Sequence, residues 1–219
     1  MKIRNIVFTT LFALAFFSVT ASAQSHKWQI GVEGGPGISS MRGDTFWDPY
    51  NPALAYYCGV AVQYNVSRHF SLKTGLALER KGTYAEFSMT DQFGRPAGKS
   101  KIHNNFYYSS IPLLGHLSFG NKFKFFINAG PYVAFLLNQV MVLKPWRHQP
   151  EMRVDRTENY KRLDLGIAGG IGVGTQLGEL FFLSLEVRDN LGLYQIYGSE
   201  HFPKRTNAAY AIVGLAYQF

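Results

Sequence analysis

Ala211-Ile-Val-Gly-Leu-Ala-Tyr-Gln-Phe219 closes the chain and decides its fold. The odd positions Ala211, Val213, Leu215, Tyr217 and Phe219 form an apolar stripe with two aromatics at its end. The even positions Ile212, Gly214, Ala216 and Gln218 are smaller or more polar, Ile212 excepted. A strand has a side-chain period of two, so the two sets point to opposite sides of a sheet. A final strand with no tail beyond it leaves an apolar edge uncovered. Such an edge aggregates in water and is harmless once a sheet closes on itself.

Seven further segments repeat the pattern: 28–38, 54–66, 70–84, 106–119, 123–138, 162–174 and 181–190. In the sixth, Leu163, Leu165, Ile167, Ile171 and Val173 oppose Asp164, Ala168 and a run of glycines. Several run to a dozen residues or more, against about 5–6 for a soluble strand and about 9–11 for a tilted membrane strand. Ser67-Arg68-His69, Gly120-Asn121-Lys122 and Gly178-Glu179 read as tight turns, while 39–53, 85–105, 139–160 and a stretch near 198–205 read as longer loops. Short turns on one side and long loops on the other are the pattern of outer-membrane barrels. A soluble sandwich also alternates; strand length, connection pattern and charge placement weigh against it. The sequence therefore predicts an all-β protein, an eight-stranded antiparallel transmembrane β-barrel of the outer-membrane type, with both termini on the short-turn side.

The N-terminus supplies an address. Lys2 and Arg4, an apolar run from Ile6 to Val19 and Ala21-Ser22-Ala23 before Gln24 have the form of a cleaved signal peptide. Residues 1–23 are then removed, and 24–219 form one barrel domain in the outer membrane of a Gram-negative cell. The mature chain keeps 20 basic residues against 14 acidic. Aromatics at 16% and 22 glycines are many, and charges at 16% are few against about 25% in a soluble domain. A secreted basic chain meets no nucleic acid, so the expected partners are outer-membrane lipid and lipopolysaccharide, the barrel-insertion machinery, and another outer-membrane protein. Cys58 has no disulfide partner and reads as a small buried hydrophobe.

Charges within the segments fall on the non-apolar face: Glu33, Lys73, Glu79, Lys81, Arg162, Asp164, Glu186 and Arg188. Eight strands enclose a space that side chains can fill, and an unpaired ion there costs several kcal/mol. An internal acid–base network follows, joined by Tyr132, His116, Gln29, Gln63 and Gln218. It rigidifies the barrel; the sharper alternative is a narrow gated conduit.

Gly214, Tyr217 and Phe219 have the spacing of the C-terminal signal that the insertion machinery reads on bacterial outer-membrane barrels, which this terminus resembles. The blocks Ile111-Pro-Leu-Leu114, Gly130-Pro-Tyr132, Asp164-Leu-Gly-Ile-Ala-Gly-Gly-Ile-Gly172 and Leu183-Ser-Leu-Glu-Val-Arg188 resemble the outer-membrane β-barrel domain family of the Bacteroidota, also labelled porin family or PorT-like. The resemblance implies a small outer-membrane barrel with no catalytic residues to carry over. One namesake in the family is an accessory protein of type IX secretion. Asp189-Asn190 departs from the pattern, where an aromatic is expected.

His116 and Ser118 are the one suggestive pair for lipid-modifying catalysis, and they stand near a short turn, at the end away from the outer leaflet. The six histidines are scattered and build no metal site, and neither glycine run is followed by a helix as a phosphate loop requires. Crowding inside a small barrel explains those glycines better. The loop 139–160 carries Lys144, Trp146, Arg147, His148, Arg153 and Arg156, and is the candidate for contact with lipopolysaccharide phosphates or a partner protein. Trp28, Tyr64, Tyr84 and Tyr107 read as interface girdles. The expected role is non-enzymatic and needs no cofactor: structural or partner-binding, with a narrow passive pore and a secretion subunit as alternatives.

Overall fold

The computed structural model describes residues 27–43, 50–90, 93, 96–144, 150–197 and 203–219. The signal segment 1–23 lies outside them. Among the described residues there are nine strands: β1 Trp28–Arg42, β2 Tyr50–Asn65, β3 Phe70–Thr90, β4 Pro96–Phe119, β5 Phe123–Lys144, β6 Met152–Asp155, β7 Leu163–Leu177, β8 Phe181–Gly192 and β9 Arg205–Gln218. All pairings are antiparallel. The order β4-β3-β2-β1-β9-β8-β7-β5 closes through β4–β5 into a ring of eight, and β6 is added to the free edge of β5.

The first and last strands, β1 and β9, form the last seam. Phe219 N–H donates to Trp28 O at 2.9 Å and Trp28 N–H to Phe219 O at 3.0 Å. No edge of the ring is left open along this seam, which is what an apolar final strand requires.

Register fixes the shape. Following paired residues from Ile38 through Ala209, Asp189, Gly169, Ala129, Gly115, Leu72 and Tyr64 returns to β1 at Trp28, ten residues from the start. Eight strands with that stagger tilt by about 40° and enclose a bore that side chains fill. Each residue then rises about 2.5 Å along the barrel axis.

Outward positions are apolar, and Leu54, Ile171 and Phe125 are 74%, 65% and 64% exposed. Trp28 and Tyr64 meet at 4.7 Å at the short-turn rim, with Phe181 and Tyr217 beside them at 5.6 Å. The turns there are tight, and Gly120 and Gly178 take φ of 107° and 68°, backbone that glycine adopts without strain.

Three readings are corrected. Cys58 is exposed on the outer wall, because the apolar stripe that carries it faces lipid. The expected loop 85–105 is largely strand: β3 runs to Thr90 and β4 begins at Pro96. The expected loop 139–160 contains the end of β5, all of β6 and a 3-10 turn at Thr157–Asn159. Beyond the lipid both faces of a strand meet water, so the apolar contrast that reveals a strand in sequence is gone.

Candidate functional site

Seven of the eight expected interior charges are buried in the lumen: Glu33, Lys73, Glu79, Lys81, Asp164, Glu186 and Arg188. They form two clusters. In the one nearer the short turns, Arg188 grips Glu186 through Nε and Nη2 at 2.7 and 2.8 Å and reaches Glu33 at 3.2 Å. Its Nη1 donates to Tyr57 Oη at 3.2 Å, and its guanidinium lies 5.3 Å from the Tyr57 ring centroid. Lys73 binds Glu33 and stands 3.7 Å from Glu186. Two cations thus meet two carboxylates, the balance a low-dielectric interior demands.

The second cluster centres on Lys81. Its Nζ lies 3.2 Å from Asp164 and 3.4 Å from Glu79, with the rings of Tyr132 and Tyr108 at 4.9 and 5.1 Å. Glu79 accepts from Ser110 at 2.5 Å, Tyr210 at 3.0 Å and Asn190 at 3.1 Å. Thr206 donates to Asp164 at 2.6 Å. Each acid here is held by neutral donors as well as by the lysine.

Arg162 is the exception. It is exposed, precedes β7 and lines an outer groove with Asn138, Asp155 and Arg156. Alternation carries a residue into the lumen only while the strand lasts, and β7 begins at Leu163.

Around the charges the bore is filled. Arg188, Tyr108, Tyr210, Lys81, Phe106, Leu114 and Ile196 are all under 2% exposed. Ile196, from the connection after β8, turns into the outer mouth and packs with Phe106 and Leu136. Its carbonyl accepts from Lys161 N–H at 2.9 Å. Tyr57, Tyr108, Tyr210 and Thr206 lie on the inward set of their strands, so period alone could have found them. Nothing local marks Ile196.

Below the clusters a polar vestibule of ≈ 220 Å³ opens toward the short turns, lined by Gln29, Gln63, Gln218 and His116 among others. His116 Nδ1 is 2.7 Å from Asn128 Oδ1. Ser118 lines the same vestibule, and Tyr132 stands beside Lys81 in the second cluster. Among the described residues no group of three His, Cys, Asp or Glu could hold a metal ion.

The glycine run of β7 has a packing role. A Cβ on Gly166 would strike the Tyr132 ring at 2.7 Å. Rings of Phe126 and Phe182 likewise occupy the space beside Gly172 and Gly174.

Of the terminal triplet, Gly214 faces inward against Ser184 Oγ, while Tyr217 and Phe219 stack outward at 6.1 Å. Of the outer-loop candidates, Lys144 ends β5, Arg153 lies on β6 with Nε donating to Glu151 at 2.8 Å, and Arg156 is exposed before the 3-10 turn. Trp146 and Arg147 lie outside the described residues. Tyr84 and Tyr107 sit higher than the lower girdle, Tyr84 stacked on His103 at 5.7 Å.

The model of the family described as "Outer membrane protein beta-barrel domain" matches residues 22–198. No curated protein matches the chain. Among solved structures, Neisserial surface protein A aligns with a TM-score of 0.50 at 10% identity, over 88% of this chain and 97% of its own. OprG of Pseudomonas aeruginosa aligns at 0.46 and 13%, over 89% and 97%. Outer Membrane Protein W of E. coli aligns at 0.43 and 12%, over 91% and 100%. At such identities the likeness to the Neisserial protein speaks for the fold alone.

Proposed function

The chain belongs to the outer membrane protein β-barrel domain family, and from that membership and its filled bore we propose a non-enzymatic structural and interaction protein whose lumen does not conduct. The observation that carries the reading is Arg188, locked across the bore to Glu186, Glu33 and Tyr57. Moving an ion past it means separating buried charge pairs, at a cost of several kcal/mol each. The full chain, folded and placed in a planar bilayer, is expected to give no steady current. A reproducible ohmic conductance would overturn this reading in favour of a passive pore, to which the polar vestibule lends its support.

Interaction is assigned to the outer rim, where Lys144, Arg153 and Arg156 offer charge to lipopolysaccharide or to another outer-membrane protein. Catalysis is not proposed: His116 is engaged by Asn128 and lies on the short-turn side, away from the outer leaflet. His116→Ala is expected to leave the lipid A profile unchanged by mass spectrometry. Removal of residues 1–23 and assignment to the PorT-like branch rest on sequence alone. Membrane-extracted protein is expected to begin at Gln24 on N-terminal sequencing. Among the described residues no geometry favours the secretion-accessory role.

A further inference from the structure

The outward face of the wall above the lipid belt carries an arrangement of charge that the barrel itself does not use. There β3, β4, β5 and β6 continue beyond the ring, and their cross-strand partners share one face. Lys101 stands directly opposite Lys144, and His103 opposite Val142, which in turn faces Arg153. Arg80 pairs with Tyr107, two outward positions lower on β4 than His103, and its long side chain reaches up to Asn105. Arg80, His103, Lys144 and Arg153, with Asn105 and the acid Glu151, line a groove of ≈ 330 Å³, and Lys101 stands at its edge opposite Lys144.

Like charges directly opposite one another destabilise a sheet. Of the cations on this face, Lys101 is paired with Glu86 at 2.6 Å and Arg153 with Glu151 at 2.8 Å. Arg80 and Lys144 have no carboxylate partner among the described residues. Arg80 spends one nitrogen on Asn105 Oδ1 at 2.7 Å, and its buried Nε has no partner. His103 registers the excess. Burial first, then the positive charges of Lys144, Arg80 and Lys101, push its pKa below the ordinary histidine value, with Glu151 the one acid opposing them. Tyr84 stacks on its ring from β3, and Arg153 on β6 adds a further cation to the groove.

The position of the groove identifies its occupant. It lies on the membrane-facing side of the wall and not over the bore. Directly beneath it are the exposed apolar residues Leu78, Ile111, Leu113 and Leu137. His103 and Lys101 stand on the order of 10–15 Å above Tyr107, at headgroup height. A molecule fitting both levels carries phosphate above and acyl chains below.

We propose that Arg80, His103 and Lys144 form a binding site for the phosphate of a phosphorylated, acylated lipid headgroup in the outer leaflet. Arg80 supplies the directed nitrogens, Lys144 a point charge, and Asn105 fixes the guanidinium. The inference rests on the interaction role proposed above and is independent of whether the bore conducts.

The test uses the full folded chain in neutral detergent, titrated with diphosphorylated lipid A, the same lipid dephosphorylated, and inorganic phosphate. Binding is read by native mass spectrometry, with the gel shift between heated and unheated barrel as a check on folding. Diphosphorylated lipid A is expected to bind at least about tenfold tighter than the dephosphorylated form, the loss of one charge-assisted contact. R80Q/K144Q is expected to erase that preference, and K144Q alone, at an exposed strand end, to reduce it. The His103 ring resonance is expected to titrate at higher pH with the phosphorylated lipid present, because the bound anion offsets its cationic neighbours. Equal affinity for the two lipids, or a preference surviving in R80Q/K144Q, overturns the proposal. Inorganic phosphate binding as tightly as the lipid overturns the lipid assignment.

Discussion

Arg188 and Asp189 are adjacent and do opposite things. Arg188 points inward to Glu186, Glu33 and Tyr57. Asp189 points outward, between Gly169 on β7 and Ala209 on β9, with the exposed Val187 below it. Removing Arg188 leaves two carboxylates buried, and Arg188→Leu is expected to destabilise the barrel by about 3–5 kcal/mol. Asp189→Val removes a charge from the lipid face and is expected to stabilise by up to about 1 kcal/mol, since acids near the interface cost less than bases at the midplane. Urea unfolding in lipid vesicles followed by tryptophan fluorescence measures both, and two changes of the same sign would refute the assigned faces. Asp189 is also where the sequence departs from the pattern of the family it resembles, and the structure gives that departure a location. Period two made the inward position of Arg188 readable, and the same rule misplaced Arg162 because it cannot say where a strand begins.

Elements differ in how far they could be read. The eight ring strands are legible because lipid on one side and a crowded bore on the other sharpen the alternation. The upper parts of β3, β4 and β5, and all of β6, lack that contrast, so they read as loops. What holds the upper hairpin of β3 and β4 is backbone pairing plus local charge, as between Glu86 and Lys101. The Lys101 ammonium, by hydrogen bond and charge, holds the Glu86 carboxyl below the ordinary glutamate value, and Glu86 raises Lys101. A lowered carboxylate contributes above its unfolded pKa and is lost as pH falls through the folded one; a raised lysine contributes below its unfolded pKa and is lost as pH rises. Amide protection in this hairpin, corrected for intrinsic exchange, is therefore expected to be steady near neutrality and to fall below about pH 4. Glu86→Gln is expected to abolish that fall, and an unchanged profile would count against the pair. In the ring itself, β7 depends on space. Gly166→Val would drive the Tyr132 ring off Lys81, and overpacking of this kind costs about 1–3 kcal/mol.

Within the lipid belt the molecule inverts a soluble protein: buried charge fills the bore, and most of its leucines, isoleucines and phenylalanines face outward. Two-residue alternation states that inversion, whereas the closing plug at Ile196 comes from a connection with no periodic signal and could not be read. The inversion also sets a length. From Phe119 to Ile111 on β4 and Phe125 to Leu137 on β5 the outward positions are largely apolar, and at about 2.5 Å of rise per residue this gives a belt close to the ~25 Å of outer-membrane barrels. A bilayer thicker than the belt must thin or leave polar rim residues in hydrocarbon, at fractions of a kcal/mol per Å. Refolding from urea into vesicles of graded acyl length is therefore expected to be most complete where the hydrocarbon matches the belt, and to decline as the bilayer thickens. Without lipid or detergent the same chain has nothing to cover Leu54, Ile171 and Phe125, and it is expected to precipitate. The gel shift between heated and unheated samples reads the folded fraction directly. A yield indifferent to bilayer thickness would mean that the apolar belt is not what meets the acyl chains.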